Sequence, residues 1–126
     1  MPSVSKDTAQ HRQDFGVMTG HYAELDGYMV GFENFHEDTD ATPLFKGLPD
    51  DRCQSPHWGY VVSGQVTFRF ADRDEVYSTG EAYYAPPGHI PVITADTEIV
   101  EFSPAEDYAR TMEVVSRNLA AMTATA

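Results

Sequence analysis

One cysteine in 126 residues excludes an internal disulfide framework and fits a reducing compartment. Basic residues are scarce: 8 Lys and Arg stand against 20 Asp and Glu. That balance repels phosphate backbones and anionic membrane surfaces, so neither nucleic acid nor a membrane is expected as a partner. No apolar run approaches the ~20 residues that span a bilayer. The opening MPSVSKDTAQHRQDF is polar throughout and does not resemble a secretory signal. There is no nucleophile elbow, phosphate-cradling glycine loop, cysteine-pair zinc motif or dinucleotide fingerprint. The expectation is a cytoplasmic protein of one domain, long enough to bury a core unaided.

What is present is a series of short strand signals. Residues 1–14 carry no periodicity and read as a flexible arm. Between Met18 and Phe35 the chain offers strand-like segments, with Met29, Gly31, Glu33 and Phe35 on one parity and Tyr28, Val30 and Phe32 on the other. Residues 36–50 hold two prolines and many acids and read as a surface loop. Ser63-Gly64 separates two runs of β-formers, and Val66, Phe68 and Phe70 alternate with polar residues, as in a sheet with one wet face. Residues 75–78, 82–85, 90–94 and 98–102 complete the set, with Pro86-Pro87-Gly88 cutting one strand short. Evenly spaced short strands argue for a sandwich or barrel over 15–103. The core expected is Val61, Val66, Phe68, Phe70, Val92, Val100 and Phe102. In the last strand Val100 and Phe102 are taken as inward, leaving Glu98 as a candidate buried acid.

The C-terminus changes character. Ser103-Pro104-Ala105-Glu106 reads as a cap, an N1 proline and a capping-box acid, predicting a helix over 104–122. Tyr108, Met112, Val115, Leu119 and Met122 recur at intervals of four and three along one face. Glu106–Arg110 and Glu113–Arg117 are i,i+4 pairs beside it. The apolar stripe fits packing on its own barrel or on a second subunit.

With the strands placed, residues 51–102 resemble the cupins, small antiparallel barrels or jelly rolls. Gly80, Pro86 and Gly88 match the family's second motif without a gap, and Gly64 anchors the first. Counted back from Gly64, the positions of the family's two histidines and glutamate fall on Asp51, Cys53 and His57. The last family histidine falls on Pro91, while His89 shares its parity two residues earlier. The resemblance implies an all-β barrel with a C-terminal amphipathic helix, small-molecule chemistry of oxygenase, isomerase or lyase type, and a homodimer.

All four residues at or beside the motif positions can bind metal. Cys53, His57 and His89, helped by Asp51, could hold one divalent ion, with thiolate and imidazoles suiting zinc or iron and a carboxylate adding nickel, within a set that includes copper. Without a metal, His57 or His89 could act as general base and Tyr84 as acid. Gly59 and Val61 share the parity of His57 and are expected, with Tyr83 and Phe68, to line a ligand cavity. Glycine at 59 either widens that cavity or admits a neighbouring ring, and Trp58 and Tyr60 then face the other way. His21 and His36 lie at the ends of the early strands. The function expected is binding of a small organic molecule, with metal-dependent catalysis, metal-free sensing and metal-free acid–base catalysis as the alternatives.

Overall fold

The protein, described here by a computed structural model over residues 2–124, is built from two antiparallel sheets and one long helix. In chain order the strands are β1 (His11–Asp14), β2 (Met18–Leu25), β3 (Tyr28–Phe35), β4 (Thr39–Asp40), β5 (His57–Ser63), β6 (Gln65–Arg69), β7 (Asp74–Ser78), β8 (Ala82–Ala85), β9 (Ile90–Ile93) and β10 (Thr97–Pro104), followed by α1 (Ala105–Ala124). One sheet has the order β1-β2-β3-β10-β5-β8 and the other β4-β9-β6-β7. No helix among the described residues is long and apolar enough to cross a membrane.

The strands form where β-branched and aromatic residues alternate, and the corners fall on residues that tolerate unusual backbone angles. Gly64 turns β5 into β6 at φ +94°, and a Cβ there would meet Thr97 Oγ1 at 2.2 Å and Thr97 Cα at 2.7 Å. Gly88, at φ +98°, turns the chain after the two prolines so that it enters β9. The N-terminal stretch is more ordered than its composition implies, because His11–Asp14 pair with β2 across four residues.

Val61, Val66 and Phe68 are buried between the sheets with Ile93 and Ile99, while Phe70 packs at the margin. The parity expected for β10 is reversed. Thr97, Ile99, Glu101 and Ser103 face inward, whereas Phe102 is 39% exposed and Val100 shares its outer face. The outer face of the larger sheet carries an aromatic raft, so apolar residues there do not mark the core. Trp58 packs on Tyr84 at 5.1 Å and on Tyr28 at 6.2 Å between ring centroids, with Tyr60 and Phe102 on the same face. Glu98 lies at the surface, 3.6 Å from Lys6 Nζ.

The segment between β3 and β5 is no simple surface loop. Two 3-10 turns, Thr42–Phe45 and Pro49–Asp51, tuck Ala41 and Phe45 into a second core with Cys53, Ile90 and Val115. Helix α1 packs on this plug in cis, and Asn118 Nδ2 donates to the carbonyls of Leu44 (2.6 Å) and Lys46 (2.9 Å). The capping box does not form. Pro104 still pairs with Tyr28 in the sheet, and Ser103 uses its hydroxyl inside the fold. Arg110 pairs with Asp107 rather than Glu106, and the exposed Glu113–Arg117 pair stands at 3.7 Å.

Replacing Gly64 by alanine combines an unfavourable φ with a backbone collision. Chemical denaturation should show a loss of at least about 2 kcal/mol; a loss within error would contradict this account of the corner.

Candidate functional site

Three donors meet where the plug joins the second sheet. Cys53 and His89 face each other in an isolated antiparallel bridge, with Cys53 N–H donating to His89 O at 2.9 Å and Gly88 N–H to Cys53 O at 2.8 Å. His57 enters from the first position of β5. One ligand atom from each of Cys53, His57 and His89 lies within 4.8 Å of the others. Cys53 Sγ and His57 Nε2 are 3.7 Å apart.

The hydrogen bonds decide which atoms are available. His89 Nδ1 lies 2.7 Å from Pro86 O, and since a carbonyl only accepts, Nδ1 carries the proton. Nε2 is therefore the bare lone pair, and it is buried with no hydrogen-bond partner among the described residues. Burial, and then the neighbouring His57, push the His89 pKa down to about 3, so the ring stays neutral. His57 Nδ1 lies 2.7 Å from Ser103 Oγ, which leaves Nε2 facing the sulfur, and burial lowers this pKa to about 4. Burial raises the Cys53 thiol to about 11.

This donor set fits a metal ion. Zinc–sulfur and zinc–nitrogen bonds of about 2.3 and 2.05 Å at a tetrahedral angle separate the two donors by about 3.6 Å. A histidine whose other ring nitrogen donates to a backbone carbonyl has the tautomer and orientation that ligands need. Asp51 takes no part: it lies exposed in the second 3-10 turn, where Oδ1 accepts the Gly47 N–H at 2.9 Å. The left-handed backbone at Asp50 and Asp51 turns that side chain away from the bridge.

A cavity of about 310 Å³ lies beside these donors, with Cys53, His57, Phe68, Glu33 and Glu101 among its lining residues. Tyr108, Thr111, Met112, Val115, Leu119 and Met122 of α1 line it as well, so the apolar stripe faces the molecule's own interior. Val61 and Tyr83 lie in the core beside it. Tyr84 faces the outer raft at 46% exposure and cannot serve the cavity. His36, exposed, is bonded to Thr19, and His21 lies part-exposed on β2.

A polar row crosses the inner face of the larger sheet and was not anticipated. Strand pairing sets Tyr22 opposite Gly31, Gly31 opposite Glu101, Glu101 opposite Gly59 and Gly59 opposite Tyr83. Each tyrosine ring lies over the glycine opposite it. A Cβ on Gly59 would come within 2.4 Å of Tyr83 Cζ, and one on Gly31 within 2.9 Å of Tyr22 Cε1. Tyr83 donates to Glu101 Oε2 at 2.5 Å and Tyr22 to Glu33 Oε2 at 2.6 Å. Burial raises both carboxyl pKa values, and the charge of Glu101 adds to the effect on Glu33. Both tyrosine hydroxyls are raised far above their usual range by burial and by these acids. The signal in the sequence was glycine and tyrosine sharing a parity in adjacent strands.

Neither a family model nor a curated protein matches the chain. Solved structures do. KdgF from Halomonas sp. is 22% identical, with 75% of this chain and 86% of that chain covered at TM-score 0.53. An RmlC-like cupin from Shewanella frigidimarina is 19% identical, with 75% and 83% covered at TM-score 0.52. A Rhizobium leguminosarum protein of unknown function is 12% identical, with 82% and 94% covered at TM-score 0.58. The chain has the fold of a single-domain cupin, arranged as a jelly roll of two sheets.

Glu33 gives a pH signature. Its pKa rises from 4.5 to about 7 on folding, so below pH 4.5 both states hold the proton and the carboxyl costs nothing. As pH rises through that window the unfolded chain ionises first and the native state loses ground. Glu33→Gln keeps an acceptor for Tyr22 without the ionisation. Its melting temperature should exceed the parent's by on the order of 5 °C at pH 8, and the gain should vanish near pH 4. A gain independent of pH would contradict the assignment.

Proposed function

We propose that the protein binds a small, largely apolar organic molecule in the cavity, beside one transition-metal ion held by Cys53, His57 and His89. The observation that carries this reading is the His89 Nε2 lone pair, fully buried and without a hydrogen-bond partner. Leaving such an atom unpaired costs about 1–3 kcal/mol, and a metal removes that cost. Sulfur with two imidazoles favours zinc, then iron, over harder oxygen-seeking cations. A metal bound there supplies Lewis acidity toward a ligand in the cavity.

The remaining work falls to the chain. Ser103 and the Pro86 carbonyl hold the two imidazoles in orientation. Helix α1 and the plug wall the cavity with mostly apolar side chains. Glu101, its Oε1 3.9 Å from His57 Nδ1, stands where it can exchange a proton with a bound molecule, and Tyr83 fixes its other oxygen.

Elemental analysis of purified, tag-free protein tests this. Near-stoichiometric zinc or iron is expected, falling to background in Cys53→Ser and His89→Ala. Substituted cobalt should give a sulfur-to-metal charge-transfer band that Cys53→Ser abolishes. Failure to take up zinc, iron, nickel or copper after incubation would leave a metal-free binding cavity and overturn the metal assignment.

A further inference from the structure

A second, smaller pocket of about 30 Å³ adjoins the main cavity, with Tyr22, Glu33, His57, Glu101, Ser103 and Tyr108 among its lining residues. Five of these, all but Ser103, also line the larger space, so the two share a wall. Two carboxyl groups converge on it. Each accepts one hydrogen bond, on Oε2 from its tyrosine, which leaves Oε1 of Glu33 and of Glu101 for a ligand. Among the described residues, no lysine or arginine lines either space. Buried acids without a cationic partner are unusual, since buried charges are ordinarily paired.

We propose that this small pocket receives the ammonium group of a primary amine whose apolar body occupies the larger cavity. The inference rests on the small-molecule reading above and specifies its ligand class. Size supports it: a water needs roughly 10–15 Å³ of such volume, so a pocket of about 30 Å³ admits about two or three heavy atoms, enough for an ammonium nitrogen and its first carbon. An ammonium offers three donors, enough for both free carboxylate oxygens, and brings the positive charge that the lining lacks. A hydroxyl offers one donor and no charge. A ligand carboxylate would bring a further acid against two whose own ionisation burial already disfavours. The body would lie against Phe15, Val17, Phe35, Phe68, Met112 and Val115.

Four probes with one phenylethyl body separate the possibilities by isothermal titration at fixed pH: the primary amine, the alcohol, the trimethylammonium and the chain-matched carboxylate. The amine should bind at least about tenfold more tightly than the alcohol, with the trimethylammonium and carboxylate weaker still. Glu33→Gln, its fold checked by circular dichroism, should bring amine and alcohol to within about threefold. Alcohol or carboxylate binding as tightly as the amine to the parent protein would overturn the amine assignment and leave small-molecule binding standing. Equal binding of the trimethylammonium would place the cation outside the small pocket and overturn its role. Silence from all four would overturn the small-molecule reading itself.

Discussion

Two backbone segments that are far apart in sequence meet through the bridge between Cys53 and His89, and the rest of the site depends on that meeting. The bridge pins the end of the plug to the start of β9, so a thiol and an imidazole are presented side by side without either belonging to a long strand. Pro86-Pro87-Gly88 makes it geometrically available. Proline ends β8, Gly88 turns with positive φ, and the Pro86 carbonyl is left to accept the His89 Nδ1 proton. A corner dictated by backbone sterics thus selects the tautomer of a buried histidine. His57 completes the group because β5 begins where Ser103 of β10 can take its other nitrogen.

The transverse row from Tyr22 to Tyr83 solves a different problem. An acid on the inner face of a sheet is costly unless it is hydrogen-bonded. Glycines on either side of Glu101 clear the space into which two tyrosine rings lean, and Tyr83 then reaches Glu101 while Tyr22 reaches Glu33. The absence of side chains at Gly31 and Gly59 is as much a part of the site as the acids. Over this row lies α1, whose apolar stripe closes the cavity and whose Asn118 fastens it to the plug.

Much of the fold was legible because turns are local. Gly64, Gly80 and Gly88 all sit at positive φ where the spacing places corners, and the helix follows from its stripe. That Cys53, His57 and His89 lie together was legible from the motif positions counted from those corners, with His89 taken from beside its motif position. What failed depended on the face of a strand or the direction of an irregular segment. In β10 both parities carry apolar residues, because the outer face bears aromatic rings, so Val100 and Phe102 outbid Ile99 on composition alone. Choosing between Tyr83 and Tyr84 needed the glycine opposite. Asp51 was lost because the 3-10 turn before Cys53 breaks the strand on which motif spacing relied. Ser103 reads locally as a cap, yet β10 runs two residues beyond the expected end, to Pro104, and claims it.

The central claim is that Cys53, His57 and His89 act together as one metal site rather than as separately buried side chains. X-ray absorption at the metal edge of the zinc-loaded protein addresses this directly. The account predicts a first shell with one sulfur near 2.3 Å and two imidazole nitrogens near 2.0–2.1 Å. A first shell of oxygen and nitrogen alone, without sulfur, would contradict it.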